Sequence, residues 1–197
     1  GGTTNASTAE TYTNYYFEVL NHGLNEMLDI FSHFFIDPIF DENYVMREIK
    51  AVNSEFMKNL QDDDWRFYRI IQQFTNQQHP FSRFSTGNTQ TLKIPNIRNE
   101  LINFFEKWYS TNLMKLVIYG NSSLDELQRM TDEFKLIQNK HIELPVIEIP
   151  LFTSIEKQRF IQIIPIKENN SLHVMWQLPH ADTFYQFKPL CYISTLL

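Results

Sequence analysis

Glu48 and Glu55 stand seven residues apart. Seven helical steps of about 100° return to within about 20° of the starting direction, so on a helix both carboxylates share one face. Val45, Ile49, Val52, Phe56 and Leu60 form an apolar stripe beside that face. One edge of the pair is therefore expected near the core, where a carboxylate needs a partner. A metal ion is one such partner; Arg47, Lys50 and Lys58 are others. Seven residues rise about 10 Å, whereas a zinc–oxygen bond is about 2 Å. At most one of the two can bind a given ion directly, and the other would act from behind it by orienting a ligand. The plain alternative is a solvated helix face carrying two glutamates.

The elements that must position this pair follow from local signals. Thr11 to Leu20 is rich in Tyr, Thr, Phe and Val and reads as a strand. Leu24, Met27, Leu28, Phe31 and Phe35 mark one helix face after Gly23, and Asp37-Pro38 ends that helix. Asp41 is the expected N-cap of the glutamate helix, and Asp62-Asp63-Asp64 caps a third helix through Trp65, Tyr68 and Ile71. Residues 79–88 read as a loop, and Pro95 opens a helix reaching about Tyr109. Leu113 to Gly120 reads as a buried strand, and Ser123 caps a helix through about Ile137. Residues 139–158, with Pro145 and Pro150, are the expected linker. Strands over Phe160–Ile166 and Leu172–Leu178, joined across Glu168-Asn169-Asn170, should follow, with a last helix from Tyr185 to the end.

Composition narrows the classes of function. The 197 residues carry a formal net charge of -6 with acids and bases interspersed, which argues against nucleic acid as a partner. No apolar run approaches the roughly 20 residues that span a bilayer, so no membrane partner is expected. Cys191 is the one cysteine, so no intrachain disulfide forms. Gly1 to Asn5 has neither the charge nor the apolar run of a signal peptide and reads as a cut end. A cytoplasmic setting follows, with a mitochondrial one if a targeting segment has been removed. His79, next to Pro80, has no second histidine nearby and reads as a loop residue with a structural hydrogen bond.

Arg47-Glu48-Ile49-Lys50-Ala51-Val52-Asn53-Ser54-Glu55 resembles the "RE-x-x-AV-x-x-E" helix of the insulin-degrading enzyme and pitrilysin family. Four other stretches are similar to family segments in the same order. They are Gly1 to Thr8, the strand start Thr13 to Phe17, the loop His79-Pro80-Phe81-Ser82-Arg83-Phe84-Ser85-Thr86-Gly87-Asn88, and the turn Tyr109-Ser110-Thr111-Asn112-Leu113-Met114. Ile164-Pro165-Ile166-Lys167 resembles the family's entry into its next domain.

The resemblance implies a zinc metalloendopeptidase that degrades peptides in an enclosed chamber. Its metal site combines an inverted His-x-x-Glu-His helix with a glutamate from a later helix. By position Glu55 would be that later zinc ligand, and Glu48 the additional glutamate behind it. Asn5 and Ala6 match positions where a strand edge pairs with extended substrate, and Trp65 and Tyr68 match aromatic positions near the chamber. None of His22, His33, His79, His141, His173 and His180 lies in a His-x-x-Glu-His sequence. The resemblance places that motif upstream of Gly1. Taken alone, the chain is therefore expected to be inactive and to bind zinc weakly at most.

The implied fold is α+β, a mixed, largely antiparallel sheet with helices packed on one face. Residues 1–143 would form a first peptidase domain without its first strands and metal-binding helix, and 144–197 the start of a second, homologous domain. Expected partners are peptide substrates and the remaining domains of the same protein, with a homodimer among the assemblies open to it. The rival reading is a non-catalytic structural or peptide-binding homologue of the same superfamily.

Overall fold

A computed structural model describes residues 1–167, 170–178 and 184–196. Two compact units emerge, each assembled from two stretches of chain: Gly1–Leu60 with Arg83–Glu148, and Gln61–Ser82 with the residues from 149 onward.

The first unit opens with a hairpin. Strand β1 (Gly2–Thr8) pairs antiparallel with β2 (Thr13–Val19), from Gly2 opposite Val19 to Thr8 opposite Thr13. Tyr15 and Phe17 of β2 point at helix α1 (Leu24–Ile36), Phe17 meeting Phe31 at 5.1 Å and Tyr15 meeting Phe35 at 5.5 Å, both edge-on. Aromatic rings favour that geometry because a positive edge meets a negative face. Helix α2 (Glu42–Asn59) begins at Asp41, whose carboxylate accepts from the amides of Asn43 and Tyr44. Val45 and Ile49 on α2, Leu28 on α1 and Phe105 on α5 (Ile97–Trp108) are buried core residues. Arg98 donates from Nε to the carbonyl of Phe40 at 2.6 Å, fixing the connection that enters α2.

Two polar fastenings hold the middle of this unit. One of the hydroxyls of Tyr15 and Tyr109 donates to the other at 2.5 Å, joining β2 to the end of α5. Burial, reinforced by the bond to Tyr15, pushes the Tyr109 phenol above its ordinary range. Ser110 is fully buried; its hydroxyl donates to Asn112 Oδ1 at 2.6 Å and accepts from the amide of Lys140 at 2.8 Å. Asn112 in turn donates to the carbonyl of Ile142 at 2.8 Å. The Tyr-Ser-Thr-Asn turn therefore clasps residues 138–142, which explains why polar residues occupy so enclosed a place.

Several sequence expectations are corrected. The expected mixed sheet is absent among the described residues, which are mostly helical around the two-stranded antiparallel sheet. Leu113–Gly120 forms no ladder: residues 111–113 make a 3-10 turn, and the rest is unpaired. Leu116 and Ile118 line an apolar groove of about 400 Å³ with helix α6 (Leu124–Arg129), while Val117 and Tyr119 are 87% and 98% exposed. The alternation proper to a strand is present, but among the described residues no neighbouring strand supplies hydrogen bonds. Phe160–Ile166 and Leu172–Leu178 likewise form no strands, and Phe160, Ile164, Leu172 and Trp176 stand exposed.

Helix α6 stops at Arg129 rather than reaching Ile137, because Thr131 turns its hydroxyl back onto the carbonyl of Gln128 at 2.6 Å and a 3-10 turn follows. Residues 89–92 form a short helix, α4, that sequence reading passed over. The last helix, α7 (Pro189–Leu196), starts four residues later than expected, with Pro189 suited to a helix's first turn. The turn residues Glu168 and Asn169, and Leu197 at the expected end of that helix, lie outside the described residues.

In the second unit, helix α3 (Asp63–Gln73) is capped by Asp62, which accepts from Asp64 and Trp65 amides. Asp63 accepts from the amides of Ile166 and Lys167 and from Arg66, itself bonded to the carbonyl of Ile164. The two amides, then Arg66, hold the Asp63 carboxyl below its ordinary value. A carboxyl lowered on folding adds stability that is complete above the unfolded value of about 3.9 and vanishes as pH falls through the folded one. Acid unfolding should therefore separate wild type from Asp63→Asn above about pH 4 and bring the two together as pH falls on through the lower, folded-state value. Parallel curves throughout would show that this clasp contributes nothing to acid stability.

Candidate functional site

Helix α2 carries the glutamate pair, and its orientation is set by Val45 and Ile49, which are 8% and 6% exposed. Val52 and Phe56 continue that line half-buried, whereas Leu60, expected on the same stripe, is 41% exposed. Glu48 and Glu55 lie about 70–90° round the helix from this line, and both are exposed. The expectation that the pair borders the core is thus corrected: each carboxylate keeps its water and needs no protein partner. Neither forms an ion pair with Arg47, Lys50 or Lys58. Arg47 instead lies over the ring of Tyr44 at 5.2 Å.

A zinc site needs three or four donors within about 2 Å of one point. Among the described residues no three His, Cys, Asp or Glu side chains cluster closely enough to hold a metal ion. His33 is bound to Asp37 at 2.6 Å, and that carboxylate raises its pKa. His79 accepts the Phe81 amide at 3.1 Å, and His173 lies tilted against the ring of Phe67 at 4.4 Å. Glu55, exposed and unpaired, suits one position of a zinc donor set, and the described residues complete no such set around it.

Asn5 and Ala6 are central in β1, opposite Tyr16 and Tyr15. Every residue of the strand is exposed, and among the described residues its far edge carries no partner strand. The Ala9 amide donates to the Tyr12 carbonyl at 2.9 Å. Counting back from that pair, the backbone groups of Thr4, Ala6 and Thr8 point to the open edge. The Ala6 amide is taken by the Asn5 side chain at 2.8 Å. Trp65, on α3 in the second unit, is 45% exposed and sets its ring edge-on to Tyr68 at 6.2 Å, which in turn meets Phe81 at 5.7 Å.

Sequence reading missed what holds α2 along the length that bears Glu55. Asn53 Oδ1 accepts from both the amide and the hydroxyl of Thr89, at 3.0 and 2.9 Å. Asn88 and Thr91 form a reciprocal capping box on α4, a pattern legible as Asn-x-x-Thr.

Comparison with known proteins gives this arrangement a family. Residues 1–78 match the family described as Insulinase (Peptidase family M16), and residues 96–197 match the Peptidase M16 inactive domain. The A-factor-processing enzyme of Saccharomyces cerevisiae is 41% identical across the whole chain, and human insulin-degrading enzyme 37%. The Schizosaccharomyces pombe protein mug138, which its name describes as a zinc protease, is 42% identical. The chain spans about a fifth of the length of these relatives, 20–21% of each. The crystal structure of pitrilysin superposes with a TM-score of 0.74 at 39% identity, over 79% of this chain and 17% of that one. The exposed glutamates of α2, the open hairpin edge and the clasped Tyr-Ser-Thr-Asn turn thus sit in a pitrilysin-like framework. With the second match covering more than half of its residues, the chain belongs to peptidase family M16, the insulinase and pitrilysin family.

Proposed function

We propose that this chain is part of a zinc-dependent endopeptidase that hydrolyses peptides inside an enclosed chamber. The observation that carries the reading is the α2 pair: two exposed carboxylates, free of Arg47, Lys50 and Lys58, on a capped and half-buried helix of an M16 chain. In this reading Glu55 is one zinc ligand and Glu48 stands behind it, orienting a neighbouring ligand. When bound, zinc would lower the pKa of a coordinated water so that it can attack a peptide carbonyl. The open edge of β1 at Asn5 and Ala6 would pair with extended peptide through the backbone groups of Thr4, Ala6 and Thr8, with the Asn5 side chain giving up the Ala6 amide. Trp65, in the other unit, would be a separate aromatic contact for peptide.

Residues 1–143 would belong to a first peptidase domain and 144–197 to a second. Further domains of the same polypeptide would be the chain's principal partners, with a homodimer as a further assembly. Neither nucleic acid nor a membrane is a proposed partner, and no helix among the described residues is long and apolar enough to cross a bilayer. The proposed compartment is the cytoplasm, with mitochondria as the alternative. A second reading, a non-catalytic peptide-binding homologue, draws on the inactive-domain match over residues 96–197.

The test compares the full-length polypeptide with the 197-residue chain on a fluorogenic peptide, with and without chelator. Chelator-sensitive, zinc-restored cleavage by the full-length form and none by the chain alone is expected. Peptide binding without turnover by the full-length form would favour the non-catalytic reading. Chelator-sensitive cleavage by the mass-verified chain alone would refute the claim that it cannot act by itself.

A further inference from the structure

Asn53 and Phe56 flank Glu55 in sequence, and each is gripped by the same neighbouring segment, residues 84–92. Asn53 takes two hydrogen bonds from Thr89, at 3.0 and 2.9 Å. The ring of Phe56 meets Phe84 edge-on at 5.5 Å and 82°. The gripping segment is itself stiffened. Asn88 accepts from the amides of Gln90 and Thr91, while Thr91 accepts from the Asn88 amide. With Thr89 bonded to Asn53, the first amides of α4 all have acceptors, although the helix has only four residues. Gly87 makes the turn possible: its φ is +84°, and an added Cβ would come within 2.9 Å of Leu92.

The geometry around α2 gives the grip a direction. Asn53 lies about 160° from Glu55 around the helix and Phe56 about 100°. The segment therefore holds α2 from the sides away from the glutamates and leaves their face open. The well-buried residues of α2, Val45 and Ile49, lie toward its start; Ile49 is about 9 Å along the axis from Glu55. Past that point no residue of α2 is fully buried, and Val52, Asn53, Phe56 and Asn59 are half-buried. A ligand carboxylate must be held to about 0.5 Å, and a thinly buried helix end does not supply that unaided.

We propose that residues 84–92 form a brace on α2 and that Asn53, through Thr89, is a positioning residue for Glu55. This role rests on the reading of Glu55 as a zinc ligand, so its test must separate the two. In the full-length polypeptide, the zinc dissociation constant is measured by competition with a chromogenic chelator for wild type, Asn53→Ala, Asn53→Asp and Glu55→Gln. Amide hydrogen exchange is followed over residues 52–58 in the same proteins. Asn53→Ala is expected to weaken zinc binding about 10- to 100-fold, the range for residues that act through a ligand. It should also speed exchange in that stretch. Asn53→Asp, which keeps an acceptor for both Thr89 donors, should restore both readouts. Unchanged zinc affinity in Asn53→Ala, or no rescue by Asn53→Asp, overturns the positioning role. Unchanged affinity in Glu55→Gln overturns the zinc reading instead. The brace alone is refuted if exchange over 52–58 is the same in Asn53→Ala as in wild type.

Discussion

On the proposed reading of Glu55 as a zinc ligand, its replacement by glutamine in the full-length polypeptide should release bound zinc to a mild chelator. It should also lower kcat/KM for a peptide by more than the roughly 100-fold expected for a residue acting through a ligand. Glutamine keeps the size and the helix propensity of glutamate, so α2 keeps its place between the Asp41 cap and the Thr89 contact. What it loses is the anionic oxygen through which a glutamate binds zinc. Because Glu55 is exposed and makes no ion pair with its basic neighbours, no folded-state contact is broken by the change. A surface substitution of this kind normally moves stability by no more than about 0.5 kcal/mol, so lost activity with an unchanged melting point would isolate the chemistry. Glu48→Gln is the graded companion. If Glu48 only orients a ligand, its loss should cost about 10- to 100-fold, or about 1.4 to 2.7 kcal/mol of transition-state stabilisation. Equal, negligible effects of the two changes would return the pair to a plain solvated face.

From sequence alone that plain face cannot be dismissed, and the reason is physical. Spacing fixes the angle between Glu48 and Glu55, but only tertiary packing decides whether that angle opens on core, water or metal. The helix start was legible because it is local: Asp41 and Asp62 each take two amides of their own helices. The Asn53–Thr89 bonds were not, since they join residues 36 positions apart. Three of the four expected strands show the opposite failure; only Thr11–Leu20 finds its place, as β2. Leu113–Gly120 has strand composition and strand alternation, and Leu116 and Ile118 do face α6. A strand, however, is defined by its neighbour, and apolar patterning cannot announce whether one is present. The unpaired edge that results exposes Val117 and Tyr119, a surface suited to association. Trp65 and the glutamates, matched to one site by family resemblance, fall on α3 and α2, which belong to different compact units.

Phe105→Ala should destabilise the chain by about 3–5 kcal/mol, the range for truncating a buried aromatic. Phe105 is 8% exposed, and three neighbours depend on its ring. Tyr109 lies against it at 4.7 Å, Phe40 meets it edge-on at 5.9 Å, and the Lys140 ammonium sits 5.5 Å from its centroid. Removing the ring opens a cavity and also loosens Tyr109, whose hydroxyl holds β2 through Tyr15. Lys140 loses its aromatic seat beside the buried Ser110 bond. Damage should therefore spread from α5 to the hairpin edge that carries Asn5 and Ala6. At about 2–4 °C per kcal/mol for a chain of this size, the melting point should fall by about 6–20 °C. Phe104, the next residue on α5, is 57% exposed and serves as the control. Its change to alanine should move stability by about 0.5 kcal/mol or less. Two neighbouring phenylalanines of equal cost would mean that α5 does not turn Phe105 inward, and the link from its ring to the hairpin would fail with it.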